Sequence, residues 1–450
     1  MTLARELAER ISTTSYDQLS RQALDYAKIG LLDTLGVGVA GSQDDAAVIA
    51  RRTIAPPPGA ALVWGTRGRA TPLDAAFMNA IAANVLDFDD CTDNLGGHPS
   101  APVLPALLAL AEQLGARGRD VLIAYVVGFE TETQLGRGVN FYHYEKGWHP
   151  TATLGVFGAG AACARLLALD VERTTCALSL CASMAAGIKS NLGSMGKPLH
   201  IGQASRSGLL AARLAAEGFT GNADALEHHQ GFLELFNGPG NYSIERILEK
   251  WGTPWDIEMP GIAIKQYPCC LSTQSAVDLM LRLVREQNLR PDQVARVHSK
   301  TSSRRLDHTN RPQPRSALDA KLSIQYVLAR ALTDRCVALE HFEGDAYRNP
   351  AAKQAMELIH ATAAEPDSPL PDMGAEISIA LKDGRQLSGS IDYPIGHAPG
   401  KPLADESLVA KFTACTSRIL PSEQREKIVN AVASFEEISD LRAFMALLEA

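Results

Sequence analysis

Residues 152–169 read ATLGVFGAGAACARLLAL. Three readings compete for this stretch. It has the length of a short membrane span. Its G-V-F-G-A-G-A at 155–161 superficially suggests a nucleotide loop. Its small residues are also of the kind that lets helix axes approach closely in a bundle. Arg165 interrupts the run and much of the rest is Ala and Gly, which is too weakly apolar for a span. The glycines are not spaced G-x-G-x-x-G and no strand pattern precedes them. What remains is a buried, closely packed helix.

Similar small-residue helices are expected at Glu172–Ile188 and Gly202–Glu217. Upstream, Leu19–Gly41, Pro72–Asp90, Ala101–Gly115 and Asp120–Leu135 show helical apolar spacing. The pattern changes near residue 260. GIAIKQYPCC is β-like and broken by proline, Ser272–Glu286 and Ala320–Leu332 are helical, and VARVHSKTS alternates like a strand. GAEISIALKDGRQLSGSIDYP alternates on both sides of Asp383-Gly384, a hairpin signal. The fold class is therefore mainly α: a large all-helical domain, residues 1–262 with 398–450, and a smaller α+β domain, residues 263–397. The helical tail Leu403–Leu448 is expected to pack back on the first domain.

A length of 450 residues allows two or three domains. A net charge of −8 with no basic block argues against nucleic acid as a partner, and an anion site would have to gather its own cations. The N-terminal MTLARELAERISTTSYDQ is a charged amphipathic helix without a secretory apolar core, so a cytoplasmic protein with no membrane partner is expected. None of the eight cysteines forms a C-x-x-C pair, which argues against zinc or iron–sulfur sites.

Two His-Pro pairs stand just before helix patterns, in DFDDCTDNLGGHPSAPVLPALLALAE (87–112) and YHYEKGWHPTATL (142–154). In the first, Asn84, Asp87 and Cys91 have the spacing of one helix face, and a carboxylate turned inward there needs a partner such as His98. The alternative is a solvated helix end with capping aspartates. In the second, Pro150 suits a first helical turn and puts His149 at the N-cap, where the neutral, proton-accepting imidazole is favoured. The alternative is a histidine that merely closes a loop. SNLGSMGKPLHIGQASRSG (190–208) presents Lys197 and Arg206 among glycines, a mixture suited to a carboxylate, or else a solvated surface loop. In IKQYPCCLSTQSAVD (264–278), Lys265 and Tyr267 fall at the expected domain junction. Cys269 and Cys270 would point opposite ways in extended chain, and no histidine lies nearby in sequence to activate a thiol.

Taken together and in this order, DFDD with HPS, GWHPTATLG, MGKPLHIGQASRSG and YPCC resemble the MmgE/PrpD family over nearly the whole chain. That family includes 2-methylcitrate dehydratase, cis-aconitate decarboxylase and iminodisuccinate epimerase activities. The resemblance implies a helical domain with an α+β lid, a homodimer, no cofactor or metal, and chemistry in an interdomain cleft. By motif, Asp87, His98, His149 and Lys197 match the family's pocket positions. Cys91 stands where decarboxylase-type members have threonine, and Gln274 where many members have histidine. The first reading is a cofactor-independent hydro-lyase that removes a proton next to a carboxylate of a small di- or tricarboxylic acid. His149, His98 and Asp87 are its catalytic candidates. Lys197, Cys91, Lys265, Tyr267, Arg206 and Gln274 are its substrate-binding candidates. An epimerase, a decarboxylase and a non-catalytic carboxylate-binding protein are the alternatives.

Overall fold

The structure, a computed structural model, describes residues 1–397 and 403–450. Two units divide the chain: Met1–Val85 with Asp89–Ile264 and Ala404–Ala450, and Leu86–Phe88 with Lys265–Leu403. The expected return to the first domain at residue 398 lies outside the described residues.

The first unit is helical apart from a two-stranded ladder, β1 (Ala61–Leu62) with β2 (Arg69–Ala70). Its helices up to residue 216 are α1 (Leu3–Thr13), α2 (Arg21–Gly41), α3 (Asp45–Ile54), α4 (Pro72–Val85), α5 (Ser100–Leu114), α6 (Gly118–Val139), α7 (Tyr142–Glu145), α8 (Pro150–Thr153), α9 (Gly155–Leu166), α10 (Val171–Met184) and α11 (Gly196–Ala216). After these come α12 (Phe232–Asn237) and α13 (Ile244–Leu248). Leu3, Ala4, Leu7, Ala8 and Ile11 of α1 are all buried, which is the spacing of a single helical face.

Glycine brings the central helices together. A Cβ on Gly128 of α6 would lie 2.7 Å from the Gly158 carbonyl oxygen and 2.8 Å from Ala162 Cβ, both on α9. A Cβ on Gly208 of α11 would lie 2.6 Å from Ala159 Cβ and from the Gly160 nitrogen, again on α9. So the glycines of residues 155–161 let α9 pack between α6 and α11, and any side chain at Gly128 or Gly208 would force the axes apart. The stretch is nevertheless not one helix. It breaks at Leu154, and α9 ends at Leu166.

The second unit holds α14 (Leu271–Glu286), α15 (Ser303–Thr309), α16 (Ala317–Ala320), α17 (Ile324–Asp334) and α18 (Pro350–Met356). Its strands are β3 (Val294–Thr301), β4 (Ile359–Ala363), β5 (Ala375–Leu381) and β6 (Gln386–Ile391), in the order β4-β3-β5-β6. β3 runs parallel to β4 and antiparallel to β5, and β5–β6 is the hairpin. Gly384 takes φ +90° in its turn, a conformation that a Cβ disfavours. Ala375, Ile377, Ile379 and Leu381 alternate inward and share a core with Val277, Met280 and Val284 of α14 and Tyr326 and Val327 of α17. This unit is the smaller and has a mixed sheet, whereas the first is predominantly helical. The β-like GIAIKQYPCC forms no strand; Ala263 makes a lone antiparallel bridge with Cys91.

The tail helices α19 (Asp405–Thr416) and α20 (Ser422–Ala433) belong to the first unit. Lys411 Nζ meets Asp33 Oδ1 at 2.6 Å, and a Cβ on Gly36 would lie 2.9 Å from the Phe412 ring, so α19 packs closely on α2. Among the described residues, no helix is long and apolar enough to cross a membrane.

Candidate active site

In the first unit, α4 ends at Val85, five residues before the expected end, and Asp87 takes φ +52°. Asn84, Asp87 and Cys91 therefore do not share a helical face. The chain instead turns, and Cys91 exchanges two backbone hydrogen bonds with Ala263, at 2.9 and 2.7 Å. The carboxylate found beside His98 is Asp89. Its Oδ2 lies 3.2 Å from His98 Nδ1 and accepts from Asn84 Nδ2 at 2.8 Å. The Asp90 carbonyl lies 3.0 Å from the same Nδ1, and Cys91 Sγ 3.6 Å from it. Two strong acceptors on Nδ1 assign its proton, which leaves the Nε2 lone pair to accept from Lys197 Nζ at 3.3 Å.

Asp90 fixes this corner from behind. Its carboxyl accepts from the Ser100 backbone N–H at 3.2 Å and from the Ser100 hydroxyl, which also bonds the Tyr125 hydroxyl. Burial, reinforced by Asp33 and Asp89 and opposed by the Ser100 bonds, pushes the Asp90 carboxyl well above the usual range. The Tyr125 phenol is also pushed up, by burial first and Asp90 second. The His98 N–H donates to Thr151 Oγ1 at 3.1 Å. Gly97 is needed beside it, since a Cβ there would come within 2.5 Å of that oxygen.

Thr151 belongs to the second His-Pro corner. His149 is the N-cap of α8, and its N–H donates to the Gly187 carbonyl at 3.1 Å. Its Nδ1 lies 3.4 Å from His200 Nδ1, so one ring donates and the other must be neutral there. Burial lowers His200 below the ordinary imidazole value. His143, in the same stretch, does something else. Its Nδ1 meets Asn237 Oδ1 at 2.9 Å and its Nε2 meets Thr153 Oγ1 at 2.7 Å, and burial lowers it to about 4.

Lys197 and His200 lie in a helix, not in the glycine-rich loop expected there. α11 begins at Gly196, because Pro198 falls in the first turn, where its missing N–H costs no helical bond. The spacing of three puts both side chains on one face. Arg206 lies nine residues along from Lys197, roughly 14 Å of helix rise, and its Nη2 faces Asp74 of α4 at 3.6 Å. It is not brought to this cluster.

In the second unit, Lys265 Nζ holds Asp87 Oδ1 at 2.6 Å and the Asp87 carbonyl at 2.8 Å, while Lys321 Nζ holds the Leu86 carbonyl at 2.8 Å. The Tyr267 hydroxyl donates to Asp278 at 2.6 Å, and burial followed by Asp278 raises that phenol. Gln274 brackets the chain. Its Oε1 accepts from the Gln266 and Tyr267 N–H groups, each at 3.2 Å, and its Nε2 donates to the Tyr267 and Cys269 carbonyls, at 2.9 and 3.0 Å. Sequence reasoning missed Asp89; it grouped Asp90 with Asp87 and His98, and His200 with Lys197, without giving either a role. The repeated aspartates of DFDD were the one available signal for Asp89.

Comparison with known proteins gives a consistent picture. Residues 5–245 match the MmgE/PrpD N-terminal domain and residues 267–437 the MmgE/PrpD C-terminal domain. Cis-aconitate decarboxylase of Homo sapiens is 32% identical over 468 residues, covering 100% of this chain and 95% of that protein. The mitochondrial 2-methylcitrate dehydratase of Yarrowia lipolytica is 25% identical, covering 95% of this chain and 86% of its own. The 2-methylcitrate dehydratase of Salmonella typhimurium is 24% identical, covering 95% and 93%.

Proposed function

Because the chain belongs to the MmgE/PrpD family, we propose that it is a lyase acting on a small di- or tricarboxylic acid by proton transfer at the carbon next to a carboxylate. The observation that carries this reading is the first turn of α11, which presents Lys197 to His98 and His200 to His149. Two proton-carrying pairs thus stand three residues apart on one helix. The His149–His200 pair holds a neutral imidazole and suits a base. The His98–Lys197 pair carries a cation and a fixed tautomer, and suits an acid and a carboxylate clamp.

Elimination of water from a 3-hydroxy acid uses both pairs. His149 removes the α-proton, the developing enolate charge is met by Lys197, and the leaving hydroxyl takes a proton on the His98 side. Dehydration is therefore our first reading. Decarboxylation is the second, favoured by the 32% identity to the human decarboxylase against 24–25% to the dehydratases. It requires one acid and no base, so it would leave the second pair without a proton-transfer role.

Proton NMR in deuterated water tests both readings. The panel is 2-methylcitrate, citrate, cis-aconitate and an aminodicarboxylate. Water loss with exchange of the α-proton supports dehydration. Carbon dioxide release with deuterium gained at carbon supports decarboxylation. No change in any acid, or turnover that survives replacement of both His98 and His149 by Asn, overturns the proposal.

A further inference from the structure

We propose that Tyr125 is a positioning residue for the His98 corner: through Ser100, its hydroxyl holds the Asp90 side chain as a carboxylate, a second buried anion behind the ring. This rests on the reading of His98 as the acid of the proposed lyase. Tyr125 lies on α6, two hydrogen bonds removed from Asp90.

The direction of those bonds follows from the donors available. Among the described residues, Tyr125 Oη has one polar neighbour, Ser100 Oγ, and Ser100 Oγ has two, Tyr125 Oη and Asp90 Oδ2. Tyr125 is 1% exposed and Ser100 and Asp90 are fully buried, so neither hydroxyl opens to solvent. A buried phenol gives its proton to the acceptor it has. Tyr125 therefore donates to Ser100, Ser100 donates to Asp90, and the row ends on an oxygen that must accept. The Ser100 backbone N–H donates to the other carboxyl oxygen at 3.2 Å. A reversed row, starting from a protonated Asp90, would leave the phenol proton without an acceptor, a costly state inside a protein.

The helices are shaped around the two hydroxyls. Gly30 of α2 lies against both: a Cβ there would collide with Tyr125 Oη, and it would come within 3.4 Å of Ser100 Oγ and 2.8 Å of Ile262 Cδ1. Phe129 packs edge-on against the Tyr125 ring, 6.4 Å between centroids.

The charges around Asp90 are few. Burial first, then Asp33 and Asp89, push its carboxyl up, and the Ser100 bonds oppose them. Asp33 of α2 is paired with Lys411 of α19 at 2.6 Å. Glu132 of α6 is fully buried without a hydrogen-bond partner, and burial followed by Asp90 raises it, so it keeps its proton and adds no charge. Facing His98 are the Asp89 carboxylate at 3.2 Å and Cys91 Sγ at 3.6 Å from Nδ1, and Lys197 Nζ at 3.3 Å from Nε2. Asp87, in the same stretch of chain, is paired with Lys265. The Asp90 carbonyl lies 3.0 Å from Nδ1, which puts the carboxylate of that residue within one side chain's reach of the ring, where an anion favours imidazolium.

The test is an NMR titration of the full chain, isotopically labelled at histidine nitrogen and aspartate carboxyl carbon, with no substrate present. Tyr125→Phe should lower the His98 midpoint by roughly half a unit or more and leave His149 where it is. Asp90→Asn should act in the same direction. The double variant should fall no further than Asp90→Asn alone, because Tyr125 acts through Asp90. A phenol that only fills space would leave His98 unmoved. An unchanged His98 midpoint in Tyr125→Phe, an equal move at His149, or a further fall in the double variant overturns the proposal. If the variants do not fold, the unmodified chain decides: the Asp90 carboxyl must lose its proton below the His98 midpoint, and a carboxyl still protonated where His98 titrates overturns it. These titrations use no turnover. A chain inactive on every acid but with the expected His98 shift removes the lyase reading and keeps the Tyr125 row; an active chain with His98 unmoved does the reverse.

Discussion

The two His-Pro corners are alike in sequence and unlike in what surrounds the ring. His98 has a carboxylate and a carbonyl on Nδ1 and a lysine on Nε2, so its tautomer and orientation are fixed from both sides. His149 has a second histidine on Nδ1. The same dipeptide thus builds one ring held tightly between a carboxylate and a lysine and one ring that shares a proton with another histidine. The second partner of each ring, not the His-Pro motif, decides its chemistry.

The largest expected effect breaks the neutral corner. His149→Asn should lower turnover by about 10²–10⁴-fold, the usual contribution of a general base, with α-proton exchange falling in parallel and the fold intact by circular dichroism. Exchange at the original rate would move the base to the charged corner and reverse the assignment. Next, Lys197→Met removes the cation of the charged corner. Substrate binding should weaken by about 1.5–3 kcal/mol, a lost charged hydrogen bond, seen as a raised KM with the smaller change in kcat. Unchanged kinetics would take Lys197 out of the site.

The third test concerns the histidine that belongs to neither corner. His143 is lowered to about 4 by burial, below its unfolded value of about 6.5. The unfolded chain therefore binds more protons between those values. The stability His143 confers is fully present above about pH 6.5 and is lost as pH falls towards 4, by roughly 2 kcal/mol at pH 5. Urea unfolding of the parent and of His143→Gln at pH 7 and 5 should show a flatter fall in the variant. Equal slopes would mean that His143 is not buried neutral. The smallest effect sharpens the charged corner. Asp89→Asn removes the anion that favours imidazolium, so the His98 titration followed by NMR should drop by roughly one unit, while His149 stays where it is. A shift at His149 instead would show that the two corners titrate together.

Much of the framework was legible locally. Asp383-Gly384 between alternating residues is enough for the β5–β6 hairpin, and the glycines of residues 155–161 are enough for a packed helix. The misread boundaries have distant causes. α4 was extended to Asp90 because its apolar period runs on. It stops at Val85, where Lys265 and Lys321, 178 and 235 residues away, take the carbonyls of Asp87 and Leu86. α11 begins at Gly196, ahead of the expected Gly202, because a first turn tolerates both Gly196 and Pro198. At the site, His98, His149 and Lys197 stood out as unusual residue types in unusual places. Asp89 did not, since its role rests on a ring brought in by tertiary packing, and His200 was visible beside Lys197 while its pairing with His149 was not. Gln274 drew attention as a replaced histidine, yet its amide is taken up by four backbone groups.

The hold of Lys265 on Asp87 also sets an order of events during synthesis. Leu86–Phe88 belong to the second unit but are made long before the rest of it. At about 5–20 residues per second, the ribosome needs roughly 10–35 s to cover the 178 residues from Asp87 to Lys265. For that interval this short segment waits without its lysines, while the helices around it can already pack. A fragment spanning 265–403 would keep the helices and strands of that unit. It would still bury the Lys265 ammonium without the Asp87 carboxylate, a loss that typically destabilises by about 3–5 kcal/mol. The smaller unit is therefore not a module that can be cut out and transplanted; it must be copied together with three residues that the gene encodes far upstream.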